Sequence, residues 1–250
     1  GIAPGQLVPR MRLSLSVGGD YFLEISKLRA MRLLWTKVME AFDVPEEVRT
    51  VHLHARTGLW NKTIFDPYVN MLRTTTEAFS AVVGGCDSLH VGPFDEVIRE
   101  SDTFSRRIAR NTHAILAEEC GLTEVVDPAG GSWAVESLTD QMAAEAWKKF
   151  QEIESAGGIL PALESGLVQE SVEAVRQQKI KNIQRRKDVI VGTNSYPNAT
   201  EELLKAASVD YSVAKTARLS ALAEWKAGRN GEAVQAALAK VGAAADEAKF

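Results

Sequence analysis

The chain has 250 residues, of which 45% are hydrophobic, 25% charged and 7% aromatic, and its formal net charge is -4. That profile suits a globular protein of one large domain, or one domain with an appendage. It offers no basic surface for nucleic acid or an acidic membrane, and no apolar run approaches the ~20 residues of a membrane span.

Gly1-Ile-Ala-Pro4 has neither the charged start nor the apolar core of a secretion signal. The two cysteines, Cys86 and Cys120, lack metal-type spacing and are expected to be buried free thiols in a reducing compartment. A cytoplasmic location is the expectation.

The elements alternate. Residues 10–18 alternate Met11, Leu13, Leu15 and Val17 with Arg10, Arg12, Ser14 and Ser16, the period of a strand, and residues 21–42 recur at helical spacing. A second strand, 51–56, places Val51, Leu53 and Ala55 on one face and His52, His54 and Arg56 on the other. A helix over 66–83 follows, with Asp66 as N-cap, Pro67 in the first turn and Gly84-Gly85 as the stop. A third strand over 86–91 and a helix over 103–120 complete three strand–helix units, which predict a parallel sheet.

After Gly121 the rhythm changes. Val125-Val126 reads as a short strand running into Gly130-Gly131-Ser132, a structural turn without phosphate-loop spacing. Helices are expected at 137–155, 159–165 and 168–186, and a last short strand at 188–192. Residues 200–250 read as a helical tail broken at Gly228 and Gly231. The basic run from Lys179 to Lys187 is a solvated face or a partner contact.

Three units cannot close an eight-stranded barrel. The expectation is therefore α/β: part of a (β/α)8 TIM-type barrel followed by a helical extension, with the remaining strands supplied by further sequence or by a partner chain.

Two neighbouring strands present Arg10, Arg12, Ser14, Ser16 and His52, His54, Arg56 on one face. A cationic interior costs several kcal/mol per ion unless water, carboxylates or an anion compensate. The face therefore reads as a channel for an anionic ligand, or else as strand-end arginines paired with Asp87, Glu96 or Asp20. A barrel metallohydrolase using His52 and His54, with His90 recruited, is a rival reading; Arg56 on the same face counts against it.

Longer motifs run through the chain. They are Phe22-Leu-Glu-Ile-Ser-Lys-Leu-Arg-Ala30 with Leu34-Trp35, Asp66-Pro-Tyr-Val-Asn-Met-Leu-Arg73, Ser88-Leu-His90, Phe94-Asp-Glu96, Arg107-Ile-Ala-Arg-Asn-Thr112, Asp127-Pro-Ala-Gly-Gly-Ser-Trp133 and Val189-Ile-Val-Gly-Thr-Asn194. In these the chain resembles the methylmalonyl-CoA mutase family, the adenosylcobalamin-dependent acyl-CoA mutases, over about residues 8–197.

The resemblance implies an eight-stranded barrel with a polar interior, the acyl-CoA arm along its axis and cobalamin over the C-terminal ends of the strands. The implied reaction is a radical 1,2-rearrangement that exchanges methylmalonyl-CoA with succinyl-CoA, with the cofactor supplying the radical. Residues 1–197 would be the C-terminal portion of the barrel domain, and 198–250 a helical linker toward a cobalamin-binding domain.

Carried over residue by residue, His54 and Arg56 fall at catalytic positions, and Arg10, Arg12, His52 and Asp87 at substrate positions. Leu59, Trp60 and Glu96 fall at cofactor positions; no metal ligand is implied. Only Arg10, His54, Trp60 and Glu96 keep the family's residue type. Arg12 stands for a serine, His52 for an arginine, Leu59 for a glycine, and Arg56 and Asp87 for two glutamines.

Glutamine both donates and accepts hydrogen bonds to neutral groups, whereas Arg56 and Asp87 bring full charges that could pair and fill the substrate space. The expectation is the non-catalytic small subunit of a heterodimer, supporting a catalytic partner. The alternative is part of a catalytic mutase with altered acyl-CoA preference.

Overall fold

A computed structural model describes residues 3–205 and 210–248. The chain divides into two compact units, one of residues 4–206 and one built on residues 207–250.

The larger unit opens with the single helical turn α1 (Pro4–Leu7) and a 3-10 turn, Val8–Arg10. Strands β1 (Arg12–Val17), β2 (His52–Thr57) and β3 (Ser88–His90) form one parallel sheet in that order. The pairing sets Arg12 beside His52, Ser14 beside His54 and Ser16 beside Arg56, then His54 beside Ser88 and Arg56 beside His90. Because side chains alternate along a strand, this register puts every apolar residue of the sheet on the opposite face.

Helix α2 (Tyr21–Ala41) covers that apolar face. Asp20 caps it by accepting from Leu23 N. Its Leu28, Trp35 and Met39 pack with Val17, Leu53, Ala55 and Ala81 in the main core, and the Trp35 indole donates to Arg49 O at 2.8 Å. Helix α3 (Val69–Val83) lies beside α2. A Cβ on its C-cap Gly84 would sit 2.9 Å from Leu28 Cδ1 and 3.2 Å from Ile25 Cα, so the close approach of these helices requires glycine.

Helix α4 (Thr103–Ala114), capped by Asp102 accepting from Ser105 N, continues through a π-helical turn, Ile115–Glu119. Ala109 and Leu116 then pack on Ala78 and Val91. Helix α5 (Trp133–Ser155) returns across α2, and short α6 (Ile159–Glu164) leads into α7 (Leu167–Gln184). The second unit carries α8 (Ser212–Ala227) and α9 (Gly231–Ala248). Among the described residues no helix is long and apolar enough to cross a membrane.

Several expectations are corrected. Helix α3 begins at Val69, not Asp66: Asp66 has φ 46°, outside the helical range, and Tyr68 caps without a side-chain bond. Residues 125–126 form no strand. Val126 is 96% exposed, and the chain turns at Asp127 (φ 48°) to bring its carboxylate to Arg29. Residues 188–192 contribute one isolated bridge, Val191 to Ser195, because Asn194 folds back to accept from Ile190 N at 2.7 Å. Arg10 closes the 3-10 turn and stands outside β1. Cys120 is exposed and Cys86 half-buried.

Candidate functional site

The polar face of the sheet is built in three rows. Arg12 and His52 form the first, Ser14, His54 and Ser88 the second, Ser16, Arg56 and His90 the third. The β1 members and His90 are exposed, while His52, His54, Arg56 and Ser88 are half-buried. Beneath them the sheet is apolar and sealed, with Leu53 and Ala55 fully buried. Alternation in β2 therefore fixes both surfaces at once.

Ser88 joins the two histidines. Its Oγ lies 3.0 Å from His52 Nε2 and 2.8 Å from His54 Nδ1, so both imidazoles are oriented by one hydroxyl. Among the described residues no group of three His, Cys, Asp or Glu has metal-holding geometry, and the metallohydrolase reading loses its required convergence. His52 and His54 reach Ser88 instead, and His90 faces His113, whose pKa burial and the His90 charge hold below its ordinary value.

The expected pairing of Arg56 with Asp87 does not form. Arg56 reaches along the C-terminal ends of the strands to Glu96. Asp87, at the other end of β3, accepts from Leu53 N at 2.7 Å and from Arg32 Nη2 at 2.8 Å. Burial works against its charged form, but those two donors hold its carboxyl below the usual carboxylate range. It clamps β3 to β2 and α2.

Leu59 and Trp60 lie on the turn after β2, 45% and 51% exposed, with Lys179 Nζ 5.8 Å from the Trp60 ring centroid. Gly92 N donates to Thr57 Oγ1 at 2.8 Å, bringing the loop after β3 against the end of β2. Beside this rim a cleft of about 630 Å³ is lined by Gly19, Tyr21, Trp60, Arg73, Lys179 and Val191 among others.

The structure thus brings Arg12, His52, His54, Arg56 and Glu96 onto one face and rim, and sets Arg10 and Asp87 apart. Ser88 is the member that residue-by-residue reasoning passes over. Its signal was the register of a three-residue strand, which depends on where pairing begins.

Gly130-Gly131-Ser132 behaves as a turn: Gly131 N donates to Glu136 Oε1 at 3.0 Å, and Arg29 reaches the same carboxylate.

The sequence model described as methylmalonyl-CoA mutase matches residues 1–249. The "methylmalonyl-CoA mutase small subunit" of Streptomyces virginiae is 44% identical over 201 residues, 80% of this chain and 32% of the relative. The small subunit of Porphyromonas gingivalis is 41% identical over 203 residues, 80% of this chain and 33% of the relative. The "methylmalonyl-CoA mutase large subunit" of Streptomyces virginiae is 35% identical over 248 residues, 98% of this chain and 34% of that subunit. The chain spans about a third of the length of these curated relatives.

Proposed function

Since the chain belongs to the methylmalonyl-CoA mutase family, we propose that it is part of the non-catalytic small subunit of a mutase that interconverts methylmalonyl-CoA and succinyl-CoA. Residues 1–197 are then the C-terminal portion of a (β/α)8 barrel, and 198–250 a helical linker. The protein works in the cytoplasm beside a catalytic partner subunit that acts on the acyl-CoA.

The observation that carries this reading is the Arg56–Glu96 ion pair. A glutamine at this rim offers a neutral thioester and a corrin both a donor and an acceptor, whereas an arginine only donates. Here an arginine stands for the glutamine and occupies Oε1 of Glu96, the residue that the resemblance assigns to the cofactor. The pair is partly exposed, so it adds only ~0–1 kcal/mol to stability; its consequence is occupancy. Leu59 adds bulk at the same rim, and Lys179 stands over Trp60. These residues do not fit adenosylcobalamin, and no step of the rearrangement is assigned to them. The cofactor belongs with the catalytic partner.

Relatives named small subunit, at 44% and 41%, stand above one named large subunit at 35%, while one named only methylmalonyl-CoA mutase reaches 40% and favours neither reading.

A second reading, part of a catalytic chain with changed acyl preference, draws on the large-subunit match running over 98% of this sequence. The exposed row of Arg12, Ser14 and Ser16 would suit an anionic acyl-CoA. Titration of the full-length chain with adenosylcobalamin, followed by its absorption spectrum, separates the two. No tight binding is expected; tight binding with turnover by this chain alone overturns the proposal.

A further inference from the structure

Glu77 is a buried carboxylate that none of the site assignments uses. It sits on α3, 1% exposed, beneath the turn after β2. Asn61 Nδ2 donates to its Oε1 at 2.6 Å, and Lys62 Nζ donates to Oε1 at 2.6 Å and Oε2 at 2.7 Å. At the other end of the turn, Gly58 N donates to Val17 O at 2.7 Å. Lys62 also donates to Asn61 Oδ1 at 3.0 Å.

Donors from positions 61 and 62 therefore converge on one carboxylate, while position 58 is tied to β1. The two residues between them, Leu59 and Trp60, are the exposed ones. The turn is held at one end by β1 and at the other by Glu77, and its apolar side chains project from a fixed base.

Such an anchor is costly. The Lys62 and Glu77 side chains are 4% and 0% exposed. Burial pulls the lysine below its ordinary pKa and pushes the glutamate above its own, against the attraction of the pair. An exposed turn can close with backbone bonds alone, and here Lys62 N already donates to Leu59 O at 3.2 Å. The buried ion pair is surplus to turn formation, and what it adds is a single geometry for Leu59 and Trp60. Fixing a contact turn beforehand removes the ordering cost when something docks on it.

We propose that Glu77 is a positioning residue for the rim, presetting the Leu59–Trp60 turn through Asn61 and Lys62 before anything docks on the strand ends. That the rim is a docking side rests on the mutase-component reading; that the turn is preset does not.

The test compares two double variants of the full chain, Lys62→Met/Glu77→Gln and Lys62→Met/Glu77→Leu. Both remove the buried charges, and the side chains are close in size. Only glutamine keeps an acceptor for Asn61. Trp60 is read by fluorine NMR of fluorotryptophan-labelled protein, its line assigned with Trp60→Phe, and by the acrylamide quenching that Trp60→Phe abolishes.

The glutamine variant should keep one Trp60 line and the parental quenching constant. The leucine variant should show a broadened or split line and a quenching constant raised roughly twofold or more, at a similar melting temperature. Equal lines and equal quenching in the two overturn the proposal. Should the leucine variant fail to fold, Asn61→Ala keeps the ion pair and removes one rim donor: it must raise Trp60 quenching, and no change also overturns the proposal. Neither readout involves cobalamin or turnover, so failure here and failure of the mutase-component reading are separate results.

Discussion

Replacing Asp87 tests whether its carboxylate is a clamp on the sheet or a group reserved for substrate. Oδ2 accepts from Leu53 N at 2.7 Å and from Arg32 at 2.8 Å. Arg32 in turn reaches Gly85 O at 2.6 Å and Val51 O at 3.1 Å. A hydrogen bond to a charged group contributes ~1.5–3 kcal/mol. The Arg32 contribution shrinks to ~1 kcal/mol or less, because both side chains are more than a third exposed. Asp87→Ala also strands the N–H of fully buried Leu53, so a loss of ~2–4 kcal/mol is expected. Asp87→Asn keeps an acceptor for that N–H and should lose ~1 kcal/mol.

The pH dependence follows from the sign of the shift. The folded-state carboxyl titrates below its unfolded value. Its contribution is therefore present above the ordinary carboxylate range and disappears as pH falls through the depressed folded value. Urea denaturation at neutral and acid pH measures both effects. The reasoning is refuted if Asp87→Ala costs less than ~0.5 kcal/mol, or if the gap between the parent and Asp87→Asn fails to shrink on acidification.

Three other outcomes are expected. A Cβ on Gly92 would fall on the Glu96 carboxylate, the movable end of a side chain; Gly92→Ala should release Arg56 at a cost of under ~1 kcal/mol, seen as a changed Arg56 Nε resonance, and an unchanged resonance argues against it. Arg29 ties Asp127 and Glu136 to α2; Arg29→Met should cost ~1–2 kcal/mol and speed amide exchange in the first turns of α5, whereas unaltered exchange would mean that apolar packing alone holds α5. Burial pushes the Cys86 thiol up to about 11, so Cys120 should be alkylated first at mildly basic pH and Cys86 roughly tenfold or more slowly; equal rates would contradict the burial.

The alternating strands and α2 were legible because one local period determined both the element and its buried face. Residues 52–57 show this best, since Leu53, Ala55 and Thr57 are the buried set. The failures share a cause in long-range contacts. Asp66 has the composition of an N-cap, but the turn from Thr63 is set by Asn70, whose side chain bonds both Thr63 N and Thr63 O. Val125-Val126 has strand composition, yet Arg29, 98 residues from Asp127, decides where that segment goes.

In the site, the residue types on the inner face were readable, and so was Glu96 as one of three candidate partners for the strand-end arginines, while the role of Ser88 was not. Arg56 meets Glu96 across 40 residues through the turn that follows β3, and His54 meets Ser88 across 34 through the strand register.

Native mass spectrometry of the complex purified with its cobalamin decides whether this is a non-catalytic component with a closed rim. The expected species is this chain's full-length protein bound to a second, catalytic mutase chain, with one cobalamin per pair, retained by the partner when the two are separated. A complex of identical copies of this chain, each carrying its own cobalamin, would contradict it.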